Sequence, residues 1–97
     1  MLKLIIKPQA EEDVKEAAKW YNTAREGLGN DFLLALEAKL NAISRNPEAF
    51  QLVYKKVRRA LTDRFPYGIF FIVENNKVFV IAIIHTCRNP KVWRKRK

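Results

Sequence analysis

The chain has 97 residues, 48% of them hydrophobic, and a formal net charge of +9; this is one domain, 1–97, able to bury a single core without disulfide or metal staples. Its one cysteine, Cys87, excludes an internal disulfide and fits a reducing cytosol, so a cytoplasmic location is expected. Its longest apolar run falls short of the roughly 20 residues of a membrane span, and residues 1–7 are too short an apolar stretch for a secretory signal.

Residues 2–7 read as a short strand with Leu2, Leu4 and Ile6 on one face. Pro8 ends it where the first residue of a helix tolerates proline. Glu11, Glu12 and Asp13 follow in the first turn, where carboxylates complement the positive end of a helix. That helix is expected over 9–26, with Ala10, Val14, Ala17, Ala18, Tyr21 and Ala24 as its core stripe. Trp20 lies at the edge of the stripe, and both Trp20 and Tyr21 are read as core packing. Gly27-Leu28-Gly29 stops the helix. Asn30 or Asp31 then caps a second helix over 31–46, whose stripe is Phe32, Leu33, Leu36, Leu40 and Ile43. Asn46-Pro47 ends it. Two helices joined by a short glycine-rich turn make an antiparallel hairpin, suited to cover one face of a sheet.

Residues 47–53 read as a loop, and 55–62 as a strand with Val57, Arg59 and Leu61 on one face and Lys56, Arg58 and Ala60 on the other. Asp63-Arg64-Phe65-Pro66 turns the chain into a hairpin over 67–85. Its turn is Asn75-Asn76, since asparagine tolerates the positive φ of a two-residue connection. In its first strand Ile69, Phe71 and Val73 oppose Phe70 and Ile72. In its second, Val78, Val80, Ala82 and Ile84 oppose Phe79, Ile81 and Ile83. Strands apolar on both faces belong inside a covered sheet. Arg88-Asn89-Pro90 turns again, and 91–97 forms a short basic helix or tail. The order is β-α-α-β-β-β, an α+β fold. Its last three strands form an antiparallel meander, and the first strand joins the same sheet at an edge or beside a late strand.

The positive charge is uneven. Residues 1–54 are near balance, whereas Lys55, Lys56, Arg58, Arg59 and Arg64 face one acid, Asp63, and Arg88, Lys91, Arg94, Lys95, Arg96 and Lys97 face none. Such a field favours an acidic partner, nucleic acid or carboxylate-rich protein; a plain solvated face is the competing reading. One histidine and one cysteine make no metal site, no glycine-rich loop follows a strand to cradle a phosphate, and no cofactor is expected. Metal-free RNA cleavage needs a base for the 2′-hydroxyl, cations for developing charge and a donor for the leaving oxygen. The cations are present, and only His85 or Tyr67 could serve as acid or base.

In their order and spacing several short pieces resemble the RelE/ParE superfamily of bacterial toxin–antitoxin toxins. They are Ala-Glu-Glu-Asp-Val at 10–14, Trp20-Tyr21, Gly27-Leu28-Gly29 before Phe32, Asn46-Pro47, Val57-Arg58-Arg59, Arg64-Phe65-Pro66-Tyr67-Gly68-Ile69, His85, Arg88-Asn89-Pro90 and Trp93. Asn89 stands where the family often has Asp. RelE-like members cut mRNA on the ribosome with basic sheet residues and usually a C-terminal Tyr or His. ParE-like members have a longer helical hairpin, lack that set and act against DNA gyrase. Long helices and no tyrosine after Tyr67 look like the ParE side.

The resemblance implies a toxin that binds and inhibits DNA gyrase, with ribosome-dependent mRNA cleavage as the alternative and a basic protein-binding module without activity as a third. It implies a cognate antitoxin, acidic and partly disordered, that folds across the toxin in a higher-order complex. The implied functional surface is Arg58, Arg59, Arg64, His85, Arg88, Trp93, Arg94 and Arg96. No catalytic residue is assigned.

Overall fold

The computed structural model describes residues 1–96; Lys97, part of the expected basic tail, lies outside the described residues. The elements are β1 (Lys3–Ile6), α1 (Pro8–Ala24), α2 (Leu28–Arg45), a 3₁₀ turn (Pro47–Ala49), β2 (Gln51–Tyr54), β3 (Val57–Leu61), β4 (Tyr67–Glu74), β5 (Lys77–His85) and a short α3 (Lys91–Arg94). They build one five-stranded sheet in the order β1-β5-β4-β3-β2. β2 to β5 form an antiparallel meander, and β1 runs parallel to β5 at the edge. The α+β class and the place of the first strand are as expected.

The extra strand is β2, from residues expected as loop. Leu52, Val53 and Tyr54 suit a pleated surface, and Lys55, at φ 50°, turns the chain straight back into β3. A lysine pair carries none of the usual marks of a tight turn, so strand and turn merged into one expected strand at 55–62. The Asn75-Asn76 turn is as expected, with φ values of 51° and 59°.

The helical turn also differs. α2 begins at Leu28, so Asn30 and Asp31 lie inside its first turn and neither caps it. Gly27 holds the N-cap position at φ 87°, which glycine adopts without a steric penalty. Gly29 lets the helices touch. Its N–H donates to Asn22 Oδ1 at 2.8 Å, and a Cβ there would lie 2.5 Å from the Ala18 carbonyl oxygen.

The main core lies between this hairpin and one face of the sheet. Ala10, Ala17, Tyr21, Phe32, Leu36 and Ile43 pack on Ile69, Phe71, Val78, Val80 and Ile83. Trp20 does not join them: it is 64% exposed. One residue is about a 100° turn of helix, and Tyr21 takes the seam, so its neighbour swings out. Leu33 is exposed beside Phe32 for the same reason.

The sheet's second face carries a smaller cluster, Val57, Phe70, Ile81, Ala82 and Ile84, closed by Trp93 of α3. Trp93 stacks on Phe70 with ring centres 4.4 Å apart and planes at 17°. A β-bulge shapes this face. Phe71 pairs with Val80 and Phe70 with Ala82, which leaves Ile81 as an extra residue. Beyond it the expected alternation is switched: Ile83 turns to the helices, while Ala82 and Ile84 turn to Trp93.

Among the described residues no helix is long and apolar enough to cross a membrane.

Candidate functional site

Register decides which basic residues meet. β4 pairs Tyr67 with His85, and β3 pairs Arg59 with Phe70. Arg59 shares its strand face with Val57, so it emerges on the Trp93 side. The segment leaving β5 curls over the same corner. The result is a hollow of about 80 Å³ whose walls include Arg59, His85, Thr86 and Arg88, with Phe70 and Trp93 also lining it. Water occupies roughly 30 Å³ per molecule in the liquid, so the hollow is the size of a few waters or one small anionic group.

Three of its groups donate. Among the described residues neither Arg59 nor Arg88 makes a salt bridge. His85 Nδ1 accepts the Cys87 N–H at 3.0 Å, so the neutral ring carries its proton on Nε2. Tyr67 stands beside His85 with ring centres 5.5 Å apart. Burial above all pushes its phenol pKa up, Tyr21 adds to the rise, Arg88 opposes it, and Asp13 and Glu16 reinforce it. Tyr67 is therefore a protonated donor at neutral pH. Among the described residues no group of His, Cys, Asp and Glu is placed to hold a metal ion.

Four of the eight residues expected on the functional surface thus come together: Arg59, His85, Arg88 and Trp93. Arg94 flanks them toward β2, its guanidinium 4.5 Å from the ring centre of Tyr54. The other three are engaged elsewhere. Arg58 points to the helix face, where its Nη1 donates to the Phe50 carbonyl at 2.6 Å. Arg64, at φ 71°, sits in the β3–β4 connection 4.0 Å from Asp31 Oδ2. Arg96 grips Asp13: Nη1 donates to Oδ2, Nη2 to Oδ1 at 3.2 Å, and Nη1 also reaches the Ile81 carbonyl at 3.4 Å.

Asp13 is the residue whose role the sequence hid. It is expected as a first-turn acid, but α1 starts at Pro8 and leaves only Glu11 in the first turn; Asp13 lies one turn on and accepts the Ile83 N–H at 3.0 Å as well as the Arg96 pair. The hint lay in the clash between a helix-start acid and a tail 83 residues later with no acid of its own.

This fold is shared with solved toxin structures. A chain of the chromosomal ParDE toxin–antitoxin system from P. aeruginosa superposes with a TM-score of 0.78 at 13% identity, covering 88% of this chain and 96% of that one. The isolated E. coli RelE toxin superposes with a TM-score of 0.67 at 18% identity, covering 98% and 95%. No curated protein matches the sequence. The family model for the ParE toxin of the type II toxin–antitoxin system, parDE, matches residues 4–90, and the chain belongs to that family.

Proposed function

We propose that this ParE-family toxin acts by binding and inhibiting DNA gyrase, and that a cognate antitoxin neutralises it. The observation that carries the reading is the family match over residues 4–90. The outer sheet face suits a binding role: a buried tryptophan flanked by Arg59 and Arg88, which make no salt bridge among the described residues, resembles the Trp, Tyr and Arg anchors that dominate protein interfaces. Its charge favours an acidic, partly disordered antitoxin segment that orders on contact. Either target, gyrase or the ribosome, places the protein in the cytoplasm.

The test is a supercoiling and DNA-cleavage assay with purified gyrase, run beside mRNA cleavage on translating ribosomes. Gyrase inhibition that is relieved by the neighbouring antitoxin is the expected result. A second reading, ribosome-dependent RNA cleavage, draws support from His85 beside Arg59, Arg88 and Tyr67. These could supply an acid–base group and cations for a developing phosphorane. Codon-dependent cleavage with untouched gyrase would replace the first reading with this one.

A further inference from the structure

Trp20 lies outside the basic hollow, and an indole left 64% exposed on a helix invites a reason. Beside it opens a hollow of about 460 Å³ walled by Trp20, Tyr21, Pro66, Tyr67 and His85. That lies within the roughly 300–1,000 Å³ of small-molecule sites. Four of the five walls are aromatic rings, and they brace one another. Tyr21 meets Trp20 edge-on at 5.1 Å, Tyr67 stands 6.0 Å from Tyr21, and His85 stands 5.5 Å from Tyr67.

An adjoining hollow of about 220 Å³ shares Trp20, Tyr67 and His85 and adds Glu16 and Arg88. Asp13 also borders it but is committed to Arg96. Glu16 and Arg88 make no salt bridge among the described residues. Both line this hollow together with Tyr67, and they act on its phenol in opposite electrostatic directions.

The ligand chemistry follows from these groups together. The rings call for a flat π-face, since aromatic side chains stack bases regardless of sequence. Arg88 and the His85 Nε2–H call for an anion. Glu16 is acceptor-only and calls for N–H donors. A cationic side chain would meet Arg88, and a purely apolar ligand would use neither charge. Guanine presents N1–H and N2–H side by side to a carboxylate, whereas cytosine and adenine offer one amino group. We propose that Trp20, Tyr67, Glu16, His85 and Arg88 form a binding site for a guanine nucleotide. The base stacks on Trp20, its N1–H and N2–H donate to the Glu16 carboxylate, and its phosphate meets Arg88. A free mononucleotide and an unpaired guanine in a strand present the same base and phosphate.

The full chain is titrated with GMP, CMP and ribose 5-phosphate, following tryptophan emission and binding heat. Trp93 is buried against Phe70 but borders Arg88, so the emission change is assigned to Trp20 by repeating the titration on a Trp93→Phe variant that keeps Trp20. GMP is expected to quench saturably and to bind at least about tenfold more tightly than CMP and ribose 5-phosphate. Glu16→Gln should lower GMP affinity by about tenfold and narrow the gap to CMP, with an unchanged melting temperature. Trp20→Ala should abolish the binding heat. An oligonucleotide of abasic residues carrying one guanine distinguishes the sources: tighter binding than GMP assigns the strand, equal or weaker binding the free nucleotide. No saturable GMP binding in either form, equal affinity for ribose 5-phosphate, or an unaltered Glu16→Gln variant overturns the site. Gyrase takes no part in these titrations, so this inference and the gyrase reading fail separately.

Discussion

The two faces of the sheet are built to different ends. On the helix face, side chains from α1 and α2 close over Ile69, Phe71, Val78 and Val80, and the polar groups there are few and bonded. On the outer face a single tryptophan covers a cluster of five, with arginines standing around it. The first face holds the stability. The second commits little apolar surface and, among the described residues, leaves Arg59 and Arg88 without a salt bridge, which suits a contact surface. The seam between them is the open stretch of β5. β1 pairs only with Lys77 to Val80; beyond that, Asp13 takes the Ile83 N–H and Arg96 reaches the Ile81 carbonyl. Two side chains stand in for a missing strand and fasten the C-terminal segment to α1, which blunts an edge that otherwise invites pairing.

Breaking that seam carries the largest expected effect. Asp13 and Arg96 have side-chain exposures of 13% and 17%, so Asp13→Ala strands a cation in a mostly dry place and orphans a backbone donor. Removing one partner of a buried pair costs about 3–5 kcal/mol; with the residual solvent access here, about 2–3 kcal/mol is expected. In a domain of this size that lowers the melting temperature by roughly 10–20 °C. Asp13→Asn, which can keep the Ile83 bond but loses the charge, should fall between. Denaturant unfolding with protease nicking after Trp93 checks both parts. An Asp13→Ala protein as stable as the parent would mean that Trp93 alone holds the outer face closed.

The fold was legible where pattern and chemistry agreed. The helical stripes, the Asn75-Asn76 turn and the apolar hairpin follow from periodicities of 3.6 and 2. What escaped were local exceptions to those periods. Lys55 adopts a left-handed turn without glycine or asparagine, so β2 stayed hidden. Ile81 is an extra residue in β5, so the side assigned to Ala82, Ile83 and Ile84 was reversed. In the site, sequence could gather arginines by composition but could not say which carry structural duties. Alternation in β3 separates Arg58 from Arg59 in the sequence already, but which of the two faces is structural depends on the Phe50 carbonyl meeting Arg58 and on Asp13 meeting Arg96 across the fold.

Arg58 and Arg59 put the contrast between the faces at its narrowest, because adjacent residues point to opposite sides. Arg58 is part of the helix side: its charge-assisted bond to the Phe50 carbonyl holds the 3₁₀ turn against β3. Hydrogen bonds to charged groups contribute about 1.5–3 kcal/mol. Arg58→Ala is therefore expected to lose roughly 1–2 kcal/mol, at the low end because the site is partly wet. Arg58→Lys should recover only part of this, since lysine lacks the planar fork. Urea midpoints measured at constant m-value provide the check.

Arg59→Ala should have the smallest effect on folding and a large one on action. With no salt bridge among the described residues and an outward-facing position, its truncation should change stability by no more than about 0.5 kcal/mol. Growth arrest on induction, or inhibition of the purified target, should weaken by about tenfold or more, the equivalent of about 1.4 kcal/mol of contact. Arg88→Ala should behave alike, and the double variant should be less than additive, since both guanidinium groups border one hollow. The reverse pattern, with Arg59→Ala unfolding the chain while Arg58→Ala abolishes toxicity in a stable protein, would exchange the roles of the two faces. It would move the contact surface from the Trp93 side to the rim between β2 and the 3₁₀ turn. Because the two residues are chain neighbours of equal charge, no effect of net charge or of unfolded-state electrostatics can produce the split; only the direction in which each side chain leaves β3 can.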